Sequence, residues 1–257
     1  MFTDLPRSLY RYRPLKSKGG RSSADVIRDE LDLIKEGHIW TSNPKDLNDP
    51  FDCRPISDAI HQATLDEMMS RLLIGSLSAV APDDVMAGPM WCHYANDHRG
   101  ICVEYPLDAR AGKLLPIYQV VYVNERLDIR SLDPNGFRIS SPVRIGMLVT
   151  QDELRDAKNN IAIEEMTRKS LGWENEQDWR YIWPANVKQS EVLDAEHERL
   201  YGPGFRNKVF ISQPLRVFLG ANMDPTLRDD LSSQLTTIRI EPIAAKLSET
   251  ECRIDTG

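Results

Sequence analysis

Glycine-rich phosphate loops are missing from this chain. It has no G-x-G-x-x-G following a strand, no G-x-x-x-x-G-K-[ST] and no G-x-S-x-G, so the Rossmann, P-loop and α/β-hydrolase readings lose their usual support. Cysteine is scarce: Cys53, Cys92, Cys102 and Cys252 have no paired C-x-x-C spacing, which makes reduced thiols the expectation. Positive charge is in deficit, with 32 Lys and Arg against 39 Asp and Glu and a net charge of −7. That balance argues against broad, salt-dependent attraction to nucleic acid and leaves room only for a local basic pocket. No apolar run is long enough to span a bilayer, and the opening MFTDLPRSL lacks the basic and apolar regions of a signal peptide, so a cytoplasmic protein with no membrane partner is expected. There is no Gly/Ser/Pro-rich linker, internal repeat or low-complexity tract, and a single domain over 1–257 is expected.

What is present alternates between strand-prone and helix-prone segments. Leu9 to Arg13 is β-prone and closed by Pro14. Ala24 to Glu36 places Val26, Ile27, Leu31 and Ile34 at the spacing of an amphipathic helix, with Gly37 as its stop, and His38 to Ser42 follows as a strand. Asn48-Asp49-Pro50-Phe51-Asp52 is a turn-forming sequence. Residues 57–80 read as helix, with Ile60, Leu65, Met68, Met69, Leu72 and Leu73 on a broad apolar side; 151–171 reads as the longest helix, ended by Gly172. Met90 to Tyr94 and Ile101 to Tyr105 read as strands joined by a hairpin-like Ala95 to Gly100 connection, with further strands at 115–123, 209–211, 215–219 and 235–240. The expected class is α+β, a mixed, mostly antiparallel β core with helical insertions at about 57–80 and 151–171.

The densest chemistry lies between Trp173 and Arg180, where Trp-Glu-Asn-Glu-Gln-Asp-Trp-Arg gathers three carboxylates, two indoles and a guanidinium. As a strand it puts Glu174, Glu176, Asp178 and Arg180 on one face and Trp173 and Trp179 on the other. Acids crowded on one face are tolerated when solvated, when a cation such as Arg180 neutralises them, or when a site uses them. Other segments add Tyr10, Arg11 and Arg13 on the first strand, Trp40, Thr41 and Ser42 on the second, and Trp91, His93 and Tyr94 on a middle one. Guanidinium groups suit phosphates, aromatic faces suit bases or nicotinamide, and a late carboxylate suits a ribose hydroxyl or an oxocarbenium-like centre. Together they describe a nucleotide pocket; the plainer alternative makes the tryptophans core and pairs the arginines with surface acids. Cys92, His93, His98 and Cys102 are zinc-type donors in a short stretch, but adjacent residues of a strand point to opposite faces, so no metal is expected. A Cys53/His93 nucleophile pair carries no local mark of activation.

The segments LYRYRPL (Leu9 to Leu15), IWTSNPKDLNDPFDC (Ile39 to Cys53), MWCHYANDHRGICVEY (Met90 to Tyr105) and KSLGWENEQDWR (Lys169 to Arg180) resemble the bacterial family called domain of unknown function 2971, over about residues 9–220. The opening strand, helix, Gly, strand, with Arg11 on the first strand and Thr41-Ser42 on the second, also resembles the start of the ADP-ribosyltransferase fold. In that fold an Arg or His on the first strand, a Ser/Thr or Tyr on the second and a late Glu bind and cleave NAD. The resemblance implies NAD as the substrate and catalytic roles for Glu176, Arg11 and Ser42. The nucleotide pocket read from the residues adds cofactor contacts from Tyr10, Arg13, Trp40, Thr41, His93, Tyr94, Asp178 and Arg180, with a protein side chain, a nucleic acid or water as acceptor. The family tends to read Trp-x-x-Glu-x-Glu-Trp-Arg, and this chain has Asp178 at the second acid, which gives Glu176 the leading role. The alternative is a non-catalytic nucleotide-sensing module of a bacterial stress or phage-defence system. Either way, Arg11, Ser42 and Glu176 are expected to share one cleft.

Overall fold

A computed structural model describes residues 6–16, 20–47, 49–70, 72–107, 117–131, 161–184, 208–249 and 254–256. The chain opens as expected with strand β1 (Ser8–Arg13), helix α1 (Ser23–Glu36) and strand β2 (His38–Trp40). The Ser22 hydroxyl accepts from the Asp25 amide at 3.1 Å and caps α1 at its start. Gly37 ends the helix at φ 69°, and a Cβ there would stand 2.6 Å from the Ser212 carbonyl oxygen, so both backbone conformation and space demand glycine. A 3-10 turn (Pro44–Asp46) leads on to helix α2 (Ala59–Ser70), strand β3 (Leu72–Ser78), helix α3 (Ala87–Tyr94) and strands β4 (Ile101–Pro106), β5 (Ile117–Gln119) and β6 (Val121–Val123). Next come helix α4 (Ile161–Met166), strand β7 (Arg168–Ser170), a 3-10 helix (Leu171–Glu176) and strands β8 (Asp178–Pro184), β9 (Lys208–Phe210) and β10 (Arg216–Leu219). Helix α5 (Pro225–Thr237) and strands β11 (Glu241–Ala244), β12 (Lys246–Leu247) and β13 (Ile254–Asp255) complete the described elements.

The architecture is α+β around a seven-stranded sheet of order β11-β10-β4-β1-β3-β8-β5, in which β10 and β11 are parallel and the other pairs antiparallel. One face carries Leu9, Leu77, Trp179 and Tyr181 against α1 and α5; the other carries Tyr12 and Phe218 against Trp91 of α3, and Ile74 and Ile182 against the Leu65 region of α2. The sheet has one weak seam. β1 pairs with β4 over six residues and β3 with β8 over seven, yet β1 meets β3 only at Tyr10 and Ser78. Past that pair the strands part, and the segment leaving β2 enters between them, with Ser42 and Ile74 exchanging backbone hydrogen bonds at 2.9 and 2.8 Å. The result is a wedge-shaped opening within the sheet.

Several sequence expectations are corrected. Residues 57–80 divide into helix α2 and strand β3, because the apolar run from Leu72 is buried on both faces and so lacks the alternation that marks a half-exposed strand. Met90 to Tyr94 is helical: Ala87, Met90 and Trp91 are its buried residues, an i, i+3, i+4 set, and the Ala95 to Gly100 connection joins a helix to a strand rather than closing a hairpin. The 151–171 helix has its described part only in α4, with Arg168–Ser170 in strand β7; 151–160 lie outside the described residues. Residues 117–123 form two short strands, broken at buried Val120 and paired with different partners, while 115 and 116 lie outside the described residues. Leu235 to Ile240 is the end of α5, a helix whose start is signalled by Asp224-Pro225, and the turn after it. Among the described residues no helix is long and apolar enough to cross a membrane.

Candidate functional site

The wedge between β1 and β3 holds a cleft of about 260 Å³. Tyr10 and Tyr12 of β1, Ile74, Ser76 and Ser78 of β3, and Asp178 and Arg180 of β8 line it, and the cross-strand register explains why: Tyr10 stands opposite Ser78, Ser78 opposite Asp178 and Ser76 opposite Arg180. Trp40, 43% exposed, and Ser42 contribute from the inserted segment, and Tyr94 reaches in from the last turn of α3.

Trp173 to Arg180 reaches this cleft by a different geometry from the strand expected. Leu171–Glu176 is a 3-10 helix, Gln177 takes a left-handed conformation at φ 44°, and the strand begins at Asp178. The turn buries Glu176 and leaves Glu174 exposed outside the cleft. Trp179 packs in the core opposite the cleft, as expected. Trp173 does not join it: its ring meets His93 and lies 5.5 Å beneath the Lys169 ammonium.

Glu176 is held at both oxygens. Tyr94 donates its hydroxyl to Oε1 at 2.6 Å, and the Lys169 ammonium donates to Oε2 at 2.5 Å. Arg180, expected as the charge partner of Glu176, instead pairs with Asp52 at 2.8 Å and Asp178 at 3.3 Å and donates to the Met166 carbonyl at 2.6 Å. Lys169 also lies 3.5 Å from Asp178. Burial works against the charge on Lys169, but Asp178 and Glu176 outweigh it and hold its pKa above the ordinary value; for Arg180, Asp178 and Asp52 likewise outweigh burial. Burial pushes the Asp52 carboxyl up against the pull of Arg180. The 2.8 Å contact with a guanidinium that keeps its charge favours an ionised Asp52 at neutral pH.

Arg11 is placed differently from the other cations. Its Nη1 donates to the Ser76 carbonyl at 3.0 Å and its Nη2 to the Trp40 carbonyl at 2.7 Å, so the side chain spans the wedge where the β1–β3 ladder stops. Arg13 pairs with Glu30, and Lys169 and Arg180 have the acids above; among the described residues Arg11 alone of the cleft cations has only carbonyl partners. Burial, reinforced by Arg13, lowers its pKa to about 10, which leaves it cationic at neutral pH. The guanidinium has five N–H donors, and these two contacts do not exhaust them.

The structure therefore brings Arg11, Ser42 and Glu176 to one cleft, with Tyr10, Arg13, Trp40, Tyr94, Asp178 and Arg180 around them. Two expected residues are not in its wall. Thr41 is fully buried between Trp40 and Ser42, its hydroxyl without a partner among the described residues, because alternation along the chain turns it away. His93 is exposed on α3 and meets Tyr94 and Trp173 by ring edges. Lys169 and Asp52 were missed. Lys169 stands seven residues before Glu176, inside the segment already singled out, but reading that segment as helix then strand hid the turn that folds one onto the other. Asp52 ends the turn-forming sequence, where a structural reading sufficed.

The thiol candidates separate. Cys53 is buried and its pKa is pushed up to about 12, by burial first, while the Cys92 thiol is exposed at 3.7 Å from His98 Nε2. Cys252 lies outside the described residues. Among the described residues no three His, Cys, Asp or Glu are grouped to hold a metal ion. No protein-family model, curated protein or solved structure matches the chain.

Proposed function

We propose that the wedge cleft binds the nicotinamide nucleotide end of NAD and that the protein transfers ADP-ribose to an acceptor or hydrolyses NAD. The observation that carries this is the convergence of Arg11, Ser42 and Glu176 on one cleft from three distant parts of the chain. The ADP-ribosyltransferase-like fold belongs to the same proposal and is supported by the order of these elements. Arg11 offers a guanidinium without a carboxylate partner among the described residues to a phosphate. The Ser42 hydroxyl, with no protein partner among the described residues, meets the ribose, and the half-exposed Trp40 ring stacks on the nicotinamide. Glu176, fixed by Tyr94 and Lys169, accepts a ribose hydroxyl hydrogen bond and stabilises positive charge growing at the anomeric carbon as nicotinamide leaves. At about 260 Å³ the cleft lies below the usual range for enclosing a whole drug-sized ligand, so it takes one nucleotide of the pair.

A second reading is favoured by the same two contacts on Glu176. With both oxygens engaged, the acid serves equally to shape a site that binds a nucleotide without turning it over, as a sensing module would. Incubation with NAD labelled in both halves separates the readings. Nicotinamide release or label transfer, lost in Glu176→Gln, supports the enzyme, whereas calorimetric binding without product over a long incubation supports the module. Turnover unchanged in Glu176→Gln removes Glu176 from the mechanism.

A further inference from the structure

A second cavity of about 180 Å³ adjoins the cleft, with Lys169 contributing to the walls of both. Its lining includes Glu165, Arg168, Arg126 and the ring of Phe51, which is 59% exposed. Two of these side chains carry polar atoms that are shielded from water and have no partner among the described residues: Glu165 Oε2, on a residue only 4% exposed, and Arg168 Nε. They are of opposite sense, an acceptor three residues from a donor, at the junction of α4 and β7. Unpaired buried groups of this kind are costly, and few are kept without a use. Arg126 donates to the Arg54 and Pro55 carbonyls, and Arg168 uses Nη1 on Glu164, so neither guanidinium takes up the Glu165 oxygen.

We infer that this cavity is a nucleobase site. A base with an amino donor beside a ring-nitrogen acceptor, the edge that adenine presents, offers Glu165 and Arg168 partners of the sense each lacks, and Phe51 supplies a stacking face at the rim. Burial first, against the opposing pull of Arg168 and Arg126, raises the Glu165 pKa to about 7. Joining the two cavities into one dinucleotide path across Lys169 rests on the nucleotide reading proposed above; the base site itself does not.

Calorimetric titration of the full chain with adenosine 5′-monophosphate, purine riboside 5′-monophosphate and nicotinamide mononucleotide, each alone, tests the inference. Adenosine 5′-monophosphate is expected to bind at least about tenfold more tightly than the analogue without the amino group, as one buried hydrogen bond allows. Glu165→Ala and, independently, Arg168→Leu should each weaken it about tenfold, with nicotinamide mononucleotide unaffected; Glu165→Gln, which keeps an acceptor oxygen, should recover most of the loss. Equal affinity for the two purine nucleotides, or equal weakening of all probes in variants that unfold at the wild-type temperature, would overturn it. Failure of nicotinamide mononucleotide to bind, with adenosine 5′-monophosphate still dependent on Glu165, sinks the first-cleft reading and upholds the base site.

Discussion

Replacing Lys169 by Met tests the buried charge cluster on which the cleft depends. Lys169, Glu176 and Asp178 have side chains only 5%, 10% and 4% exposed, and the ammonium lies 2.5 and 3.5 Å from the two acids. At an effective dielectric of about 20 those separations correspond to gross attractions of roughly 7 and 5 kcal/mol. Desolvation costs several kcal/mol per ion and consumes much of this, so the pair adds little net stability over an apolar substitute for both partners. Removing one partner is another matter, because the desolvation of the acids remains while their compensation is gone. Lys169→Met is therefore expected to destabilise the fold by about 3–5 kcal/mol at pH 7. In the double variant with Glu176→Gln, one of the stranded charges is removed as well, and the combined loss should fall short of the sum of the single losses by about 2 kcal/mol. Urea unfolding followed by circular dichroism measures all four corners of the cycle. A loss below about 1 kcal/mol for Lys169→Met, or strict additivity with Glu176→Gln, would refute the buried, coupled cluster.

Other perturbations address separate parts of the structure. For Glu165 the folded pKa of about 7 lies above the ordinary 4.5, so the folded state holds a proton the unfolded chain has lost, and the associated stability, about 1–3 kcal/mol, disappears as pH rises from 4.5 through 7. Glu165→Gln should flatten that decline in thermal melts from pH 5 to 8, and an unchanged profile would count against the raised pKa. Gly75→Ala places a Cβ 2.6 Å from Ile39 Cδ1 and 3.2 Å from Thr41 Cγ2, so it should cost about 1–3 kcal/mol and, by displacing Trp40 and Ser42, weaken nicotinamide mononucleotide binding. Gly88→Ala, where nothing lies within 4 Å, is the matched control and should be neutral or stabilising in the same urea titration. Arg11→Met should weaken nicotinamide mononucleotide more than about tenfold in calorimetry while leaving nicotinamide riboside, which lacks the phosphate, within about twofold; equal weakening of both would assign Arg11 to clamping the wedge alone.

Strands β1 and β4 were legible because Leu9 to Arg13 and Ile101 to Tyr105 are short β-prone runs, the first closed by Pro14 and the second bounded by Gly100 and Pro106, and α1 because Ser22 and Gly37 punctuate an amphipathic run. β3 was not, since a strand buried on both faces loses its period of two and continues the apolar pattern of α2 without a break. The helix α3 was missed because Met90-Trp91-Cys92-His93-Tyr94 is rich in residues that suit strands, and only packing against Tyr12 and Phe218 decides its form. For the cleft, the residue types were readable and their pairing was not. Which acid Arg180 holds depends on Asp52, 128 positions away, and no local pattern carries that distance.

The two walls of the cleft differ in charge, and that difference bears on what the site accepts. On the β8 side three carboxylates, Asp52, Glu176 and Asp178, meet two cations, Lys169 and Arg180, leaving one net negative charge on largely buried side chains that line the cleft. On the β1 side Arg11 is positive, with only carbonyls for partners among the described residues. A singly charged ligand relieves one wall and leaves the other uncompensated, whereas a ligand with an anion at one end and a cation at the other relieves both. A nicotinamide nucleotide has that polarity, phosphate on one side of the ribose and pyridinium on the other. The same asymmetry gives a direction to any reaction. As the glycosidic bond breaks, charge leaves the pyridinium and develops on the ribose, and only a position near Glu176 keeps that charge beside the negative wall throughout. Under the proposed function, the orientation with the phosphate at Arg11 and the anomeric carbon toward Glu176 is thus the one in which binding and bond cleavage would draw on the same field.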